Sequence, residues 1–153
     1  RGFTREDYAR YHPAGALGRR LMRVEEWMRP LERCAVLPPH ALVRDAVVAI
    51  TKTRSGAAMV CSDQGLLLGI FTDGDLRRRL TADTPILDAT LASVMTQTPR
   101  TIGPDALVAD AVRLMRDCRI DELPIVSPQG LLLGYLDVQD LLDVGFVGDL
   151  AST

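Results

Sequence analysis

The sequence is poor in the residues that most often carry special chemistry. Aromatic residues are 5% of 153, with one Trp, and the only histidines are His12 and His40. Two such scattered ligands make a metal site unexpected. Cys34, Cys61 and Cys118 are odd in number and widely spaced. That excludes a C-x-x-C metal or redox pair and argues against a disulfide framework. They read as buried free thiols of a cytoplasmic protein. One lysine, Lys52, stands beside seventeen arginines, a coding bias that is given no functional weight. With 18 basic and 20 acidic residues the net charge is −2, so there is no electrostatic footprint for nucleic acid or anionic lipid. Apolar runs are as short as Leu66-Leu67-Leu68, whereas a membrane-spanning helix needs about 20 residues. The opening, Arg1 to Glu6, has neither the apolar stretch of a signal peptide nor an initiator Met; it reads as a piece of a longer chain. P-loop, nucleophile-elbow, zinc-protease and dinucleotide-binding motifs are all missing.

What is present is a repeat. Hydrophobic residues at 47% and charged residues at 25% suit a globular chain able to bury roughly 68–70% of its unfolded surface. Leu37-Pro38-Pro39-His40-Ala41-Leu42-Val43-Arg44-Asp45-Ala46-Val47 returns 65 positions later as Ile102-Gly103-Pro104-Asp105-Ala106-Leu107-Val108-Ala109-Asp110-Ala111-Val112. At the same offset Ser62 to Gly69 matches Ser127 to Gly134, and Asp75-Leu76 matches Asp140-Leu141. Trp27-Met28 and Val94-Met95 open the two copies at an offset of 67.

Within each copy the periods are legible. Leu42/Val43, Ala46/Val47 and Ala49/Ile50 form one apolar helical stripe, repeated by Leu107/Val108, Ala111/Val112 and Leu114/Met115. Asp105, behind Pro104, is the expected N-cap of the second helix. Short apolar runs, Ala57 to Cys61 and Leu123 to Val126, lead into Ser-x-Gln-Gly turns and second runs, Leu66 to Phe71 and Leu131 to Leu136. Each copy thus predicts β-α-β-β-α, with short first strands at Ala35–Leu37 and Thr101–Ile102. A unit of this size leaves one sheet face bare, and a second copy can cover it. The expectation is an α/β (α+β) fold of two such repeats about a pseudo-two-fold axis. The divisions expected are 1–23 as an incoming tail, 24–82 and 83–147 as the two copies, and 148–153 as a disordered end.

Thr72-x-x-Asp75 is the most informative constellation. It has the form of a capping box, Thr72 as N-cap and Asp75 three positions on. The same geometry suits a ligand: a helix start offers N–H donors and positive dipole to a phosphate, and a carboxylate one turn in can accept from a ribose diol. In the second copy Asp137 replaces Thr72, which sets a negative charge where a phosphate would lie, while Asp140 keeps the carboxylate. One competent and one degraded site are expected. Asp121-Glu122, just before Leu123-Pro124, are two further acids; Arg119, Arg54 and the Arg77-Arg78-Arg79 run are the available counter-charges, though a charge run is usually a solvated face.

The repeat, with Gly69-Ile70-Phe71-Thr72-Asp73-Gly74-Asp75-Leu76 and Leu123-Pro124-Ile125-Val126, resembles a tandem pair of CBS domains. Ahead of it, Arg1-Gly2-Phe3-Thr4-x-Glu6-Asp7-Tyr8 and His12-Pro13-Ala14-Gly15-Ala16-Leu17-Gly18-Arg19 resemble the end of the sugar isomerase domain in D-arabinose 5-phosphate isomerases. Taken from the residues alone, the first stretch is a capped helix start and the second a Pro/Gly-broken linker. The resemblance implies that Thr72 and Asp75 hold phosphate and ribose, with Leu37, Ala57, Ala58, Arg119 and Asp140 as further ligand-binding candidates. It implies His12 as a carried-over catalytic residue of an incomplete active site, so the chain alone is expected to be no enzyme. Ala14 departs from the usual Gly of that motif. The implied parent interconverts ribulose 5-phosphate and arabinose 5-phosphate for Kdo and lipopolysaccharide synthesis. A nucleotide or sugar nucleotide such as CMP-Kdo, or an adenine nucleotide, is the implied ligand. The implied partners are the upstream sugar isomerase domain and further copies in a homo-oligomer, with Val144, Phe146 and Val147 as candidate contacts; no cofactor is required. The rival expectations are a purely structural oligomerisation module and the CBS tail of another enzyme or transporter.

Overall fold

The computed structural model describes residues 21–81 and 85–142. His12, the helix start at Thr4, the motif around Pro13, the apolar trio at 144–147 and the 148–153 end lie outside them.

Two small sheets form, each wrapped by its own helices. The chain enters through a short helix α1, Val24–Trp27, and a two-residue strand β1, Arg29–Pro30; a 3-10 turn then leads to β2, Ala35–Leu37. Helix α2, Val43–Thr53, crosses to β3, Ala57–Cys61, and β4, Leu67–Thr72, runs straight into α3, Asp73–Leu80. The second copy repeats the order with α4, Leu91–Val94, β5, Thr96–Gln97, α5, Val108–Cys118, β6, Glu122–Val126, β7, Leu132–Asp137, and α6, Val138–Leu142. The helical stripes seen in the sequence are the buried faces: Val43, Ala46 and Ile50 in α2, and Val108, Ala111, Val112 and Met115 in α5.

The short openings are exchanged between the copies. β1 pairs with β7 of the second copy, giving the order β1-β7-β6, while β5 pairs with β4 of the first, giving β2-β3-β4-β5. The cores follow the same exchange. Val24 and Trp27 pack with Val108, Met115, Leu123 and Leu136, and Ile86 and Leu91 pack with Val43, Ala46, Val60 and Phe71. The exchanged segments also cap the main helices. The Val108 N–H donates to the Met22 carbonyl at 2.8 Å and that of Val43 to Ala89 at 2.9 Å.

That capping corrects one expectation. The N-cap of α5 is Leu107 rather than Asp105, because the incoming segment supplies the acceptors that an Asp side chain would otherwise provide. The Asp105 carbonyl instead accepts from Arg23 Nη1 at 2.7 Å. A second correction concerns the strand at Thr101–Ile102, which shrinks to one bridge, Ile102 to Ile125. Pro124 turns its carbonyl toward the Ile102 N–H, 3.2 Å away. The N–H that proline lacks is therefore the one that would have extended this ladder. Met59 stands in that place in the first copy, and β2 pairs with β3 over all three residues.

The copies meet through the faces a single copy would leave bare, where Ala57, Met59 and Ile70 pack against Leu132 and Tyr135. The two Ser-x-Gln-Gly turns pair symmetrically, the Leu67 N–H donating to Gly130 and the Leu132 N–H to Gly65, both at 3.1 Å. Gly65 and Gly130 sit at φ +89° and +91°, a conformation that favours glycine. Cys34 and Cys61 are buried free thiols, Cys118 is half-buried and free, and burial pushes the Cys34 and Cys61 pKa values up to about 11. Among the described residues no helix is long and apolar enough to cross a membrane, and no His/Cys/Asp/Glu group has the arrangement to hold a metal ion.

Candidate ligand-binding site

Helix α3 begins where β4 ends, so its first turn stands at the rim of the seam between the copies. Its capping box is complete: the Asp75 N–H donates to Thr72 Oγ1 at 3.1 Å and the Thr72 N–H to Asp75 Oδ2 at 2.9 Å. The Asp73 N–H is taken by the Gly56 carbonyl at 2.9 Å. Helical geometry provides no partner for the Gly74 N–H, at the second position of the helix. Arg78, largely exposed, pairs with the second Asp75 oxygen, while Arg77 and Arg79 lie on the solvated face. The charge run is thus mainly a solvated face with one arm reaching the site.

Facing this turn from the second copy are carboxylates. A Cβ on Gly56 would stand 2.5 Å from Glu122 Oε2 and 3.5 Å from Asp137 Oδ2, so both acids converge where only a glycine fits. Asp137 caps α6, accepting from the Gln139 N–H at 2.8 Å, and also accepts from the Tyr135 hydroxyl at 2.9 Å. Burial and the Asp137 charge raise the Tyr135 pKa, which keeps the phenol a donor. Burial, reinforced by Asp137, Asp121, Asp73 and Asp75, pushes the Glu122 pKa up to about 8. Burial also raises Asp73, opposed by Arg77 and assisted by Asp137. The first turn of α3 therefore carries donors and a carboxylate, while the wall opposite is acidic.

The other candidates are distributed unevenly. Ala57 pairs with Thr72 across β3 and β4 and is fully buried against the seam. Ala58 is fully buried, and half-buried Leu37 packs against the same first-copy core. Arg119 is exposed, in the left-handed conformation that ends α5. Asp140 is 3% exposed, with its oxygens 2.7 and 3.3 Å from Arg29 Nε and Nη2. Arg29 escapes sequence reasoning. Its only signal is the offset of 67, by which it corresponds to Thr96. Two surface clefts, of about 350 and 340 Å³, lie beside Cys34 and Cys61 and beside Ile102 and Pro104; neither is lined by Thr72 or Asp75.

A tandem β-α-β-β-α pair with a capped helix start facing the seam from each copy defines a class. Residues 24–82 and 91–146 match the CBS domain family, and the chain belongs to it as a CBS pair. More particularly, it is 39% identical over 148 residues to the arabinose 5-phosphate isomerase KdsD of Yersinia pestis, an alignment covering 96% of this chain and 45% of that enzyme. The chain thus spans less than half the length of the curated relatives it matches. Among solved structures it is similar to a CBS domain protein from Pyrobaculum aerophilum complexed with AMP. The TM-score is 0.73 at 23% identity, covering 86% of this chain and all of that one (100%). The CBS domain pair of protein MJ0100, in complex with 5′-methylthioadenosine and S-adenosyl-L-methionine, gives a TM-score of 0.74 at 19% identity and covers 84% and 98%.

Proposed function

We propose that this CBS pair is the regulatory, ligand-binding part of an arabinose 5-phosphate isomerase. Its ligand is a nucleotide or sugar nucleotide, with CMP-Kdo or an adenine nucleotide the leading choices. The observation that carries the reading is the first turn of α3. Thr72 and the Gly74 N–H face a phosphate there, and Asp75, held by the Thr72 N–H, accepts from a ribose diol. Ala57, on the seam face of β3, is the wall beneath, with Ala58 behind it in the first-copy core, and Arg119 is the counter-charge the reading assigns from the second copy. The likeness to KdsD over 96% of the chain supports an upstream sugar isomerase domain, to whose active site His12 belongs. The cytoplasm is the compartment of such an enzyme, and CBS pairing is its route to a homo-oligomer. This fragment alone has no isomerase activity. Ligand affinity must differ between two conformations or assemblies for binding to regulate anything.

The acids opposite the site decide how much charge the ligand carries. Asp137 opposite the turn and Asp73 within it repel each added phosphate, and Glu122 joins them once it ionises above about pH 8, so the reading favours a ligand with one phosphate over a triphosphate. A second reading is a module that binds nothing and only assembles the enzyme; the internal partners of both Asp75 oxygens favour it.

Thermal-shift measurements at fixed protein concentration decide between them, using CMP-Kdo, CMP, AMP, ADP and ATP. A ligand at 100 times its Kd stabilises by about 2.7 kcal/mol. The expected result is a shift with a monophosphate or CMP-Kdo, smaller with ATP, and lost in Asp75→Asn. No shift with any of them up to millimolar concentration leaves the assembly role.

A further inference from the structure

In the second copy the place equivalent to Asp75 is filled from within. Arg29 on β1 grips the Asp140 carboxylate with two nitrogens, at 2.7 and 3.3 Å, and donates Nη1 to the Arg54 carbonyl at 3.0 Å. Its guanidinium carbon lies 5.3 Å from the centre of the Tyr135 ring. Both partners are buried, Arg29 at 9% and Asp140 at 3% exposure. Burial works most strongly against the Arg29 charge, but the Asp140 hydrogen bond and the charges of Tyr135, Asp140 and Asp137 together outweigh it, and the pKa stands above its ordinary value.

The repeat places the same acceptors in the first copy. Asp75 corresponds to Asp140. Arg119 corresponds to Arg54, each ending an 11-residue helix in the left-handed conformation, at φ 55° and 54°. Only the arginine is missing. Arg29 stands opposite Tyr135 in the β1–β7 pairing, and its counterpart opposite Ile70 in the β5–β4 pairing is Thr96, an exposed side chain too short to reach the helix.

We infer that Arg29 is a built-in occupant of the second copy's half-site, so that the chain takes one ligand, in the first copy. The residue at this strand position decides which half is open. The chemistry of the two occupants is alike: a guanidinium offers N–H donors to a carboxylate and a carbonyl, and a ribose diol offers O–H donors to the same pair. The inference rests on the reading of Thr72 and Asp75 as a nucleotide site, and its test separates the two.

Thr96→Arg installs the missing guanidinium without altering Thr72 or Asp75, and Thr96→Gln controls for size. Calorimetric titration with AMP is expected to give one AMP per chain for the unmodified protein and for Thr96→Gln, with affinity at least ten-fold weaker in Thr96→Arg. By NMR, the introduced Nε–H exchanges as slowly as that of Arg29, and adding Asp75→Asn makes its exchange fast. Two AMP per unmodified chain, or undiminished affinity in Thr96→Arg, overturns the inference. Should AMP bind none of the proteins, the nucleotide reading fails and the exchange measurement decides alone. Slow exchange that depends on Asp75 upholds the equivalence of the two half-sites, and fast exchange overturns it.

Discussion

At the start of β6 the Glu122 carboxyl is held against Gly56 with Asp137 close by, and its pKa rises to about 8 from an ordinary 4.5. The sign of the consequence follows from proton counting. Below pH 4.5 the group is neutral folded or unfolded. Between 4.5 and 8 the unfolded chain ionises first, so the folded state holds the extra proton and stability falls as pH rises. Allowing for solvent screening, the loss is on the order of 1–2 kcal/mol. Thermal unfolding scans from pH 5 to 9 should show it, and Glu122→Gln should flatten the profile and raise the Tm at pH 8. A profile unchanged by that substitution would place the titration elsewhere. The two acids were visible in the sequence, but their effect was not. It arises because β6, β7 and the loop before β3 bring Glu122, Asp137 and Gly56 to one point, and no spacing along the chain encodes that convergence.

Among the elements, β4 and β7 each carry a glycine that lets the exchanged strand lie close. A Cβ on Gly134 would meet the Arg29 carbonyl at 2.3 Å, and one on Gly69 the Thr96 carbonyl at 2.8 Å. Backbone cannot yield as a side chain does. Gly134→Ala is therefore expected to destabilise by roughly 1–3 kcal/mol, whereas Gly103→Ala, with nothing within 4 Å of its Cβ, should be close to neutral. Chemical denaturation of the two variants makes the comparison. The helical stripes of α2 and α5 and the capping box of α3 were legible in the sequence, because each depends on residues within a few positions of one another. The single bridge at Ile102 and the N-cap at Leu107 were not. Pro124 and the Met22 carbonyl decide them, and both come from other segments.

In the whole molecule the exchange of openings makes the copies one cooperative unit. Trp27 belongs to the core of the second copy and Leu91 to that of the first, so a cut at the repeat boundary removes part of each core. Fragments 24–82 and 83–147 are expected to lack cooperative unfolding and dispersed amide signals when prepared separately, while the intact chain unfolds in one transition. A fragment that folds alone would contradict this. By itself the sequence determined the repeat, the α+β pattern within it and the Thr72–Asp75 pair, since periodicity and capping are local properties of the chain. The tertiary structure alone decided which opening serves which copy and that Arg29 fills the place of Asp140's partner. It also set the acidic wall opposite α3. Each of these depends on groups far apart in sequence, brought together when the bare faces of two sheets are buried against each other.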